Sequence, residues 1–382
     1  MSRSLGVPAV SVVAAAAMVW GCSIGPAPLS AQLPDRIRTG LVVEDYSVDA
    51  GLDFESIRQL SVPVVAEWSW AGRGHLTVAS GWTEVRLGLP GSVERVVSGP
   101  LDAEARLRWA LVRDRLDLMV TGSLPTGTNR LDEPDLLLVG LLANDLLGFS
   151  TPSLGSGGSL GVGVGGAGVF GAASLGWAVH GRLPFSYQPV AGSDDRVRAG
   201  AELRMRVGLQ SPLGRRTSVS AALVASLRNR DELNERPVNR VGHRVAGYVS
   251  VDVPVSRTVL SLWGSGVVRT DPAFEPSVVG AAFIPRGHFW SAGGRWVLGV
   301  GSRLRIEPQV EYRSATAATD ASGLELESLG GLWKAGARVR RGWGRDSWLV
   351  LDGTGAFGSI RNDAADVDTR GMRIALYLEW TR

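Results

Sequence analysis

The chain is short of thiols, of lysine and of long apolar runs. Among 382 residues it has one cysteine, Cys22, and one lysine, Lys334. A disulfide framework and thiolate metal clusters are therefore excluded. After residue 31 no stretch reaches the roughly 18 continuous apolar residues that a membrane helix needs, so a helical membrane protein is excluded as well. His75, His180, His243 and His288 lie far apart, and none has metal-ligand spacing. No cofactor is expected. The formal charge is only +3, and the arginines form no basic cluster, which gives no basis for nucleic-acid binding. No change of composition marks a domain boundary, so a single domain is expected after the leader.

The amino terminus reads as a processing signal. Arg3 supplies a positive start, Ala9 to Trp20 an apolar segment, and small residues precede Gln32, predicting a signal peptide over 1–31 cleaved after Ala31. Export from the cytoplasm follows. Val19-Trp20-Gly21-Cys22 also resembles a lipobox, which leaves lipidation of Cys22 open, although Trp20 is bulky for that motif.

Residues 32–382 consist of amphipathic segments of about ten to fourteen residues, joined alternately by very short and by longer connections. Strands are predicted at about 38–49, 57–69, 74–86, 102–112, 115–124, 157–170, 174–187, 196–210, 215–228, 242–255, 257–269, 286–299, 302–314, 329–341, 346–358 and 370–382. That is sixteen, or fourteen at the lower bound. Tight turns fall after even-numbered strands, such as Arg113-Asp114 and Gly299 to Gly301. Longer loops, such as Leu87 to Leu101, Asn229 to Val241, Thr270 to Pro285 and Ala315 to Ser328, follow odd-numbered ones. This is the pattern of an all-β, antiparallel, up-and-down transmembrane barrel. Alternation supports it: in the last segment Met372, Ile374, Leu376, Leu378 and Trp380 share one face, and Arg373, Ala375, Tyr377, Glu379 and Thr381 the other. Two aromatic girdles are expected. Trp68, Trp70, Trp109, Trp177, Trp296, Trp343 and Trp380 would form one, and Trp82, Trp290, Tyr46, Tyr187 and Phe283 the other.

This patterning resembles that of Gram-negative outer-membrane β-barrels over everything after the leader. The resemblance implies an outer-membrane location, with lipid and lipopolysaccharide around the wall. It also implies recognition of the segment Arg370 to Arg382 by barrel assembly machinery, although Thr381-Arg382 replace the usual terminal aromatic. The oligomeric state stays open, a trimer included. Gly122 to Gly127, GSLPTG, resembles a segment of the phenol meta-pathway transporter family, whose proposed substrates are small hydrophobic compounds.

The longest interruption is Leu124 to Gly157, after the fifth strand. Its middle, Asp135 to Phe149, predicts a short helix, with Pro134 in the first turn and acidic Asp132 and Glu133 before it. In sixteen-stranded porins the corresponding loop enters the lumen, and the likeness implies a porin-like channel for passive diffusion of small solutes, narrowed by residues 124–157. Asp132, Glu133, Asp135 and Asp145 would then face a pore wall carrying Arg106, Arg108, Arg196, Arg198, Arg204, Arg303, Arg305 and Glu307. Alternatively those arginines only solvate the wall, paired with Glu104, Glu202 and Glu307. The leucines of the loop also fit an apolar plug, which favours hydrophobic cargo.

Catalytic signals are poor, and no enzyme is expected. Gly157 to Gly161 matches G-x-S-x-G, and Gly163 to Gly168 matches G-x-G-x-x-G, but neither leads from a strand into a helix. A barrel-embedded lipid hydrolase and a surface scaffold remain the lesser readings.

Overall fold

The computed structural model describes residues 33–382 except 71, 215, 239–241, 271–286, 317–329 and 363–364. The expected leader with Cys22, Phe283, and almost all of the loops 270–285 and 315–328 lie outside the described residues.

Sixteen antiparallel strands form one wall: β1 (Arg36–Val48), β2 (Ser56–Trp70), β3 (Gly74–Leu89), β4 in two segments (Val93–Pro100 and Ala103–Val112), β5 (Leu116–Leu124), β6 (Ser159–Phe170), β7 (Ala173–Pro184), β8 (Glu202–Leu213), β9 (Thr217–Arg228), β10 (Arg244–Val255), β11 (Thr258–Arg269), β12 (His288–Val300), β13 (Leu304–Thr316), β14 (Gly330–Trp343), β15 (Ser347–Asn362) and β16 (Ala365–Thr381). The two segments of β4 share one lane, because both pair with β3, the first along its outer half and the second along its beginning. Each strand pairs with the next. β16 closes the wall on β1, in register from Arg36↔Thr381 to Val48↔Thr369. Closure leaves no unpaired edge, which lipid cannot tolerate.

The start of β1 and the end of β16 lie at one end of the barrel, where Arg36 pairs with Thr381 and all connections are two or three residues in length. Turns this tight need left-handed backbone. Gly171 (φ +61) and Gly301 (φ +69) supply it without steric cost, whereas Asp114 (φ 60) and Ser256 (φ 56) adopt it as non-glycine residues. The long connections gather at the opposite, loop end.

The faces follow the alternation. On β16 Met372, Ile374, Leu376 and Leu378 are exposed outward, while Ala375, Tyr377 and Glu379 are buried inward. The outward apolar belt has nothing to cover it but lipid. Trp109, Trp177, Trp296 and Trp343 are exposed toward the terminal end. Trp290, Tyr312 and Trp333 stack in a row toward the loop end, with ring centroids 5.2 and 4.9 Å apart. Among the described residues no helix is long and apolar enough to cross a membrane.

Three expectations need correction. The connection Leu87 to Leu101 is not an open loop, because β3 runs on to Leu89 and returns as Val93–Pro100. There the outward positions turn polar, with Arg86 2.7 Å from Glu84 and 3.9 Å from Glu94, while inward Val85, Leu87 and Val97 stay buried. The strand expected from 196 begins at Glu202. Val197–Arg198 instead joins a small three-stranded sheet with Glu232–Leu233 and Arg236–Pro237 at the loop end. Tyr46 does not belong to a girdle: it points inward and is 2% exposed.

Candidate functional site: the loop inside the barrel

The segment between β5 and β6 folds against the inner wall. A 3-10 turn (Glu133–Asp135) leads into helix α1 (Leu136–Leu142), with Pro134 in the first turn. The helix is shorter than the expected span of 135–149. Asn144 stops it by accepting the Leu146 N–H on Oδ1 at 2.9 Å, and Gly148 then turns the chain at φ +63.

This arrangement leaves apolar side chains facing the wall. Leu138, Leu142, Leu146, Leu147, Phe149 and Leu154 are buried together with inward residues of β1 to β4, among them Tyr46, Ile57, Val85 and Leu87, and of β13 to β16, among them Leu332 and Val367. Burying each such leucine contributes about 1.5–3 kcal/mol. The largest fully buried apolar side chains among the described residues, Ile57, Leu87, Leu138, Leu142, Leu146, Leu147 and Leu332, all belong to this contact between loop and wall.

Polar latches fix the return limb. Leu147 O accepts from Tyr46 Oη at 2.8 Å and from Lys334 Nζ at 2.6 Å, and Lys334 Nζ also donates to Tyr46 Oη at 2.8 Å. The Ser150 N–H donates to Glu44 Oε2 at 2.8 Å. The Gln59 amide pairs with both backbone groups of Thr151, at 2.8 and 3.3 Å, and Thr151 Oγ1 donates to Ser61 Oγ at 3.2 Å. Further on, Asp102 accepts from Gly127 N at 2.9 Å and from Ser156 N at 2.7 Å. Gly127 closes the GSLPTG segment, so Asp102 ties the entry of the loop, at Gly127, to its return, at Ser156.

The expected charged residues distribute unevenly. On the loop, Asp145 meets Arg269 at 2.5 Å and Asp135 meets Arg95 at 4.0 Å. Burial holds the Asp135 carboxyl above its ordinary value, against the pull of Arg95. Asp132 and Glu133 are exposed. On the wall, Arg106, Arg108, Arg204, Arg305 and Glu307 sit at inward register positions, with Arg108 3.3 Å from Asp117, Arg204 2.8 Å from Glu202, and Glu307 3.5 Å from Arg295. Arg198 stands apart from them in the loop-end sheet, on Glu232, with Arg196 just before that strand, and Arg303 occupies the turn before β13. The acidic loop residues are thus brought to Arg95 and Arg269, not to the predicted arginines. Lys334, Tyr46, Gln59 and Arg269 were missed. Only Lys334 carried a signal, as the single lysine on an inward strand position.

Between loop and wall lies a cavity of about 340 Å³, bounded by Leu142, Phe149, Phe289, Ser291, Asp145 and Arg313. Among the described residues no group of acidic, histidine or cysteine side chains is placed to hold a metal ion.

A closed wall, an apolar exterior and a polar interior occur together only where the surrounding solvent is lipid. The chain has the fold of a membrane-spanning β-barrel. No family model matches it, and no curated protein matches it by sequence. Its fold is similar to those of several solved outer-membrane proteins. A bacterial polysaccharide outer membrane secretin is 9% identical over 91% of this chain and 98% of that one, with a TM-score of 0.46. The outer membrane protein OprD from Pseudomonas aeruginosa is 11% identical over 92% and 95%, with a TM-score of 0.42. A deletion mutant of the monoaromatic hydrocarbon channel TodX is 9% identical over 91% and 90%, with a TM-score of 0.43. Scores this low leave the reading of the barrel to its own geometry.

Proposed function

We propose that this barrel is a porin-like channel for small solutes, closed at rest by the loop 125–158, so that passage requires the loop to shift. The observation that carries this reading is the apolar core shared by α1, its return limb and the inner wall on both sides of the β1–β16 seam. The loop buries its leucines against the wall, so moving it would expose them to water, while Asp132 and Glu133 stay exposed. The runner-up in the sequence, a plugged carrier for small hydrophobic compounds, shares this geometry. It gains support from the aromatic rings of Phe149 and Phe289 beside the cavity. Flux follows the solute gradient, and no covalent step is invoked. Ser159 of the G-x-S-x-G match accepts a hydrogen bond from Arg182 Nε at 2.9 Å, an arrangement that activates no nucleophile. Assembly by the barrel machinery, contact with lipopolysaccharide and any trimer belong to the same proposal.

Planar-bilayer recordings of refolded residues 32–382, with and without replacement of 130–150 by a short Gly/Ser linker, test the reading. Rare openings in the intact barrel and sustained current after replacement are expected. Equal current in both would refute the plug, and silence in both would refute the channel.

A further inference from the structure

The inner wall holds more guanidinium than carboxylate. On β4 to β8 the inward positions carry Arg106, Arg108, Arg182, Arg204 and Arg206 against Glu104, Asp117 and Glu202. Their neighbours Leu203, Met205 and Val207 are exposed on the lipid side, which fixes the parity. Asp117 is taken by Arg108 at 3.3 Å and Glu202 by Arg204 at 2.8 Å. Arg182 Nε reaches only the neutral Ser159 hydroxyl. Among the described residues, Arg106 and Arg206 have no carboxylate within ion-pair distance. The strand between these columns, β6, presents only glycine inward at 161, 163 and 165. A Cβ at Gly161 would lie 2.6 Å from both the His180 ring and Thr121 Oγ1. His180 lies across this glycine strip with Thr121 Oγ1 2.9 Å from its Nε2, within electrostatic reach of Arg106, Arg182 and Arg204 and of Glu202.

The far wall shows a milder shortage. Glu379 serves three guanidiniums, Arg340 at 2.9 Å and Arg36 and Arg38 each at 3.7 Å, with Glu67 also 4.0 Å from Arg36. Asp352 serves two, Arg338 at 2.7 Å and Arg373 at 3.2 Å, with Glu44 also 3.4 Å from Arg373. The chain as a whole is nearly balanced, at +3. On the outer surface Asp45 and Glu84 stand one to one with Arg58 and Arg86. A cleft whose lining carries an excess of one sign between low-dielectric walls concentrates the opposite counter-ion.

Resting on the channel reading above, we propose that the lumen beneath the plug is selective for anions, and that the cargo is a small carboxylate or other small anion. It is guided along the strip formed by Arg106, His180, Arg182 and Arg206. These unpaired guanidiniums give a passing carboxylate bidentate partners that no wall acid already occupies.

The test is the reversal potential across a tenfold KCl gradient at or below 0.1 M, where the Debye length is still about 10 Å. The barrel with 130–150 replaced is used, so that the plug does not mask the lumen. Chloride preferred over potassium by roughly tenfold is expected, at the lower end of what field focusing in a charged cleft achieves. Arg106→Gln with Arg206→Gln moves the reversal potential toward the cation side, and Arg58→Gln on the outer surface leaves it in place. A cation preference, or a reversal potential that the double variant does not move, overturns the anion assignment and leaves the channel standing. Complete absence of current overturns the channel reading and this inference with it.

Discussion

Truncation of Leu147 probes the plug at its most buried point. Leu147 is 0% exposed, within a cluster that includes Leu142, Leu146 and Leu332. Its carbonyl is the acceptor for both Tyr46 and Lys334, so Leu147→Ala removes packing while leaving the polar latch in place. Large-to-small changes at such sites cost about 2–5 kcal/mol. The alanine is the same residue in the docked and the displaced loop, so this cost falls on docking. At about 1.4 kcal/mol per factor of ten, the ratio of displaced to docked loop rises roughly thirty- to several-thousand-fold. The assay is the open probability of single refolded barrels in a planar bilayer, with the retained heat-modifiable band on gels as proof that the wall is intact. Leu160→Ala, on the lipid side of β6, is the control, because Leu160 is 54% exposed and outside the cluster. An open probability for Leu147→Ala equal to that of the parent and the control, in a folded barrel, would refute the claim that apolar packing keeps the channel closed.

Two further outcomes follow from charges on the loop. Asp145→Asn leaves the Arg269 guanidinium, whose side chain is 10% exposed, without its carboxylate. Docking weakens by about 1–3 kcal/mol, and single-channel recording should show more frequent openings; unchanged gating would mean the pair contributes nothing to closure. The Asp135 carboxyl is held above its ordinary value by burial, with Asp132 adding to the rise and Arg95 opposing it. Its ionisation therefore opposes docking above the docked-state pKa, and that opposition is relieved as pH falls through it toward 3.8. Mild acidification should lengthen closed times, and Asp135→Asn should be insensitive over that window; openings that increase on acidification through Asp135 contradict the assignment.

The barrel was legible in the sequence because two periodicities coincide. Side chains alternate along every strand, and tight turns recur after every second one. Each strand expected at a lipid-crossing position is found, since the apolar belt fixes parity residue by residue. The signal fails where lipid stops. Above the belt, the outward positions of β3 and of Val93–Pro100 become Glu84, Arg86 and Glu94, and a strand with polar residues outside reads as a loop. The helix was foreseen but overextended, because leucine spacing continues past Asn144 while the Asn144 side chain diverts the backbone. The latches could not be read at all. Tyr46, Leu147 and Lys334 meet across separations of 101 and 187 residues, and only closure of β16 on β1 brings them together. The charge surplus of the lumen was similarly hidden, since nearly equal totals of acid and base do not reveal which face each occupies.

The most direct test of a loop that must move is to prevent its movement. Ser61 on β2 and Thr151 on the return limb place their hydroxyls 3.2 Å apart, and Cys22 falls within the leader expected to be removed, so Ser61→Cys with Thr151→Cys introduces a single candidate bridge. Conductance is recorded on this pair in the Leu147→Ala background, first oxidised and then after addition of reductant to the same bilayer. The account predicts silence while the bridge is intact and openings once it is reduced. Equal current in the two states, with the bridge verified by mass, would show that solute passes without displacement of the loop and would contradict the plug.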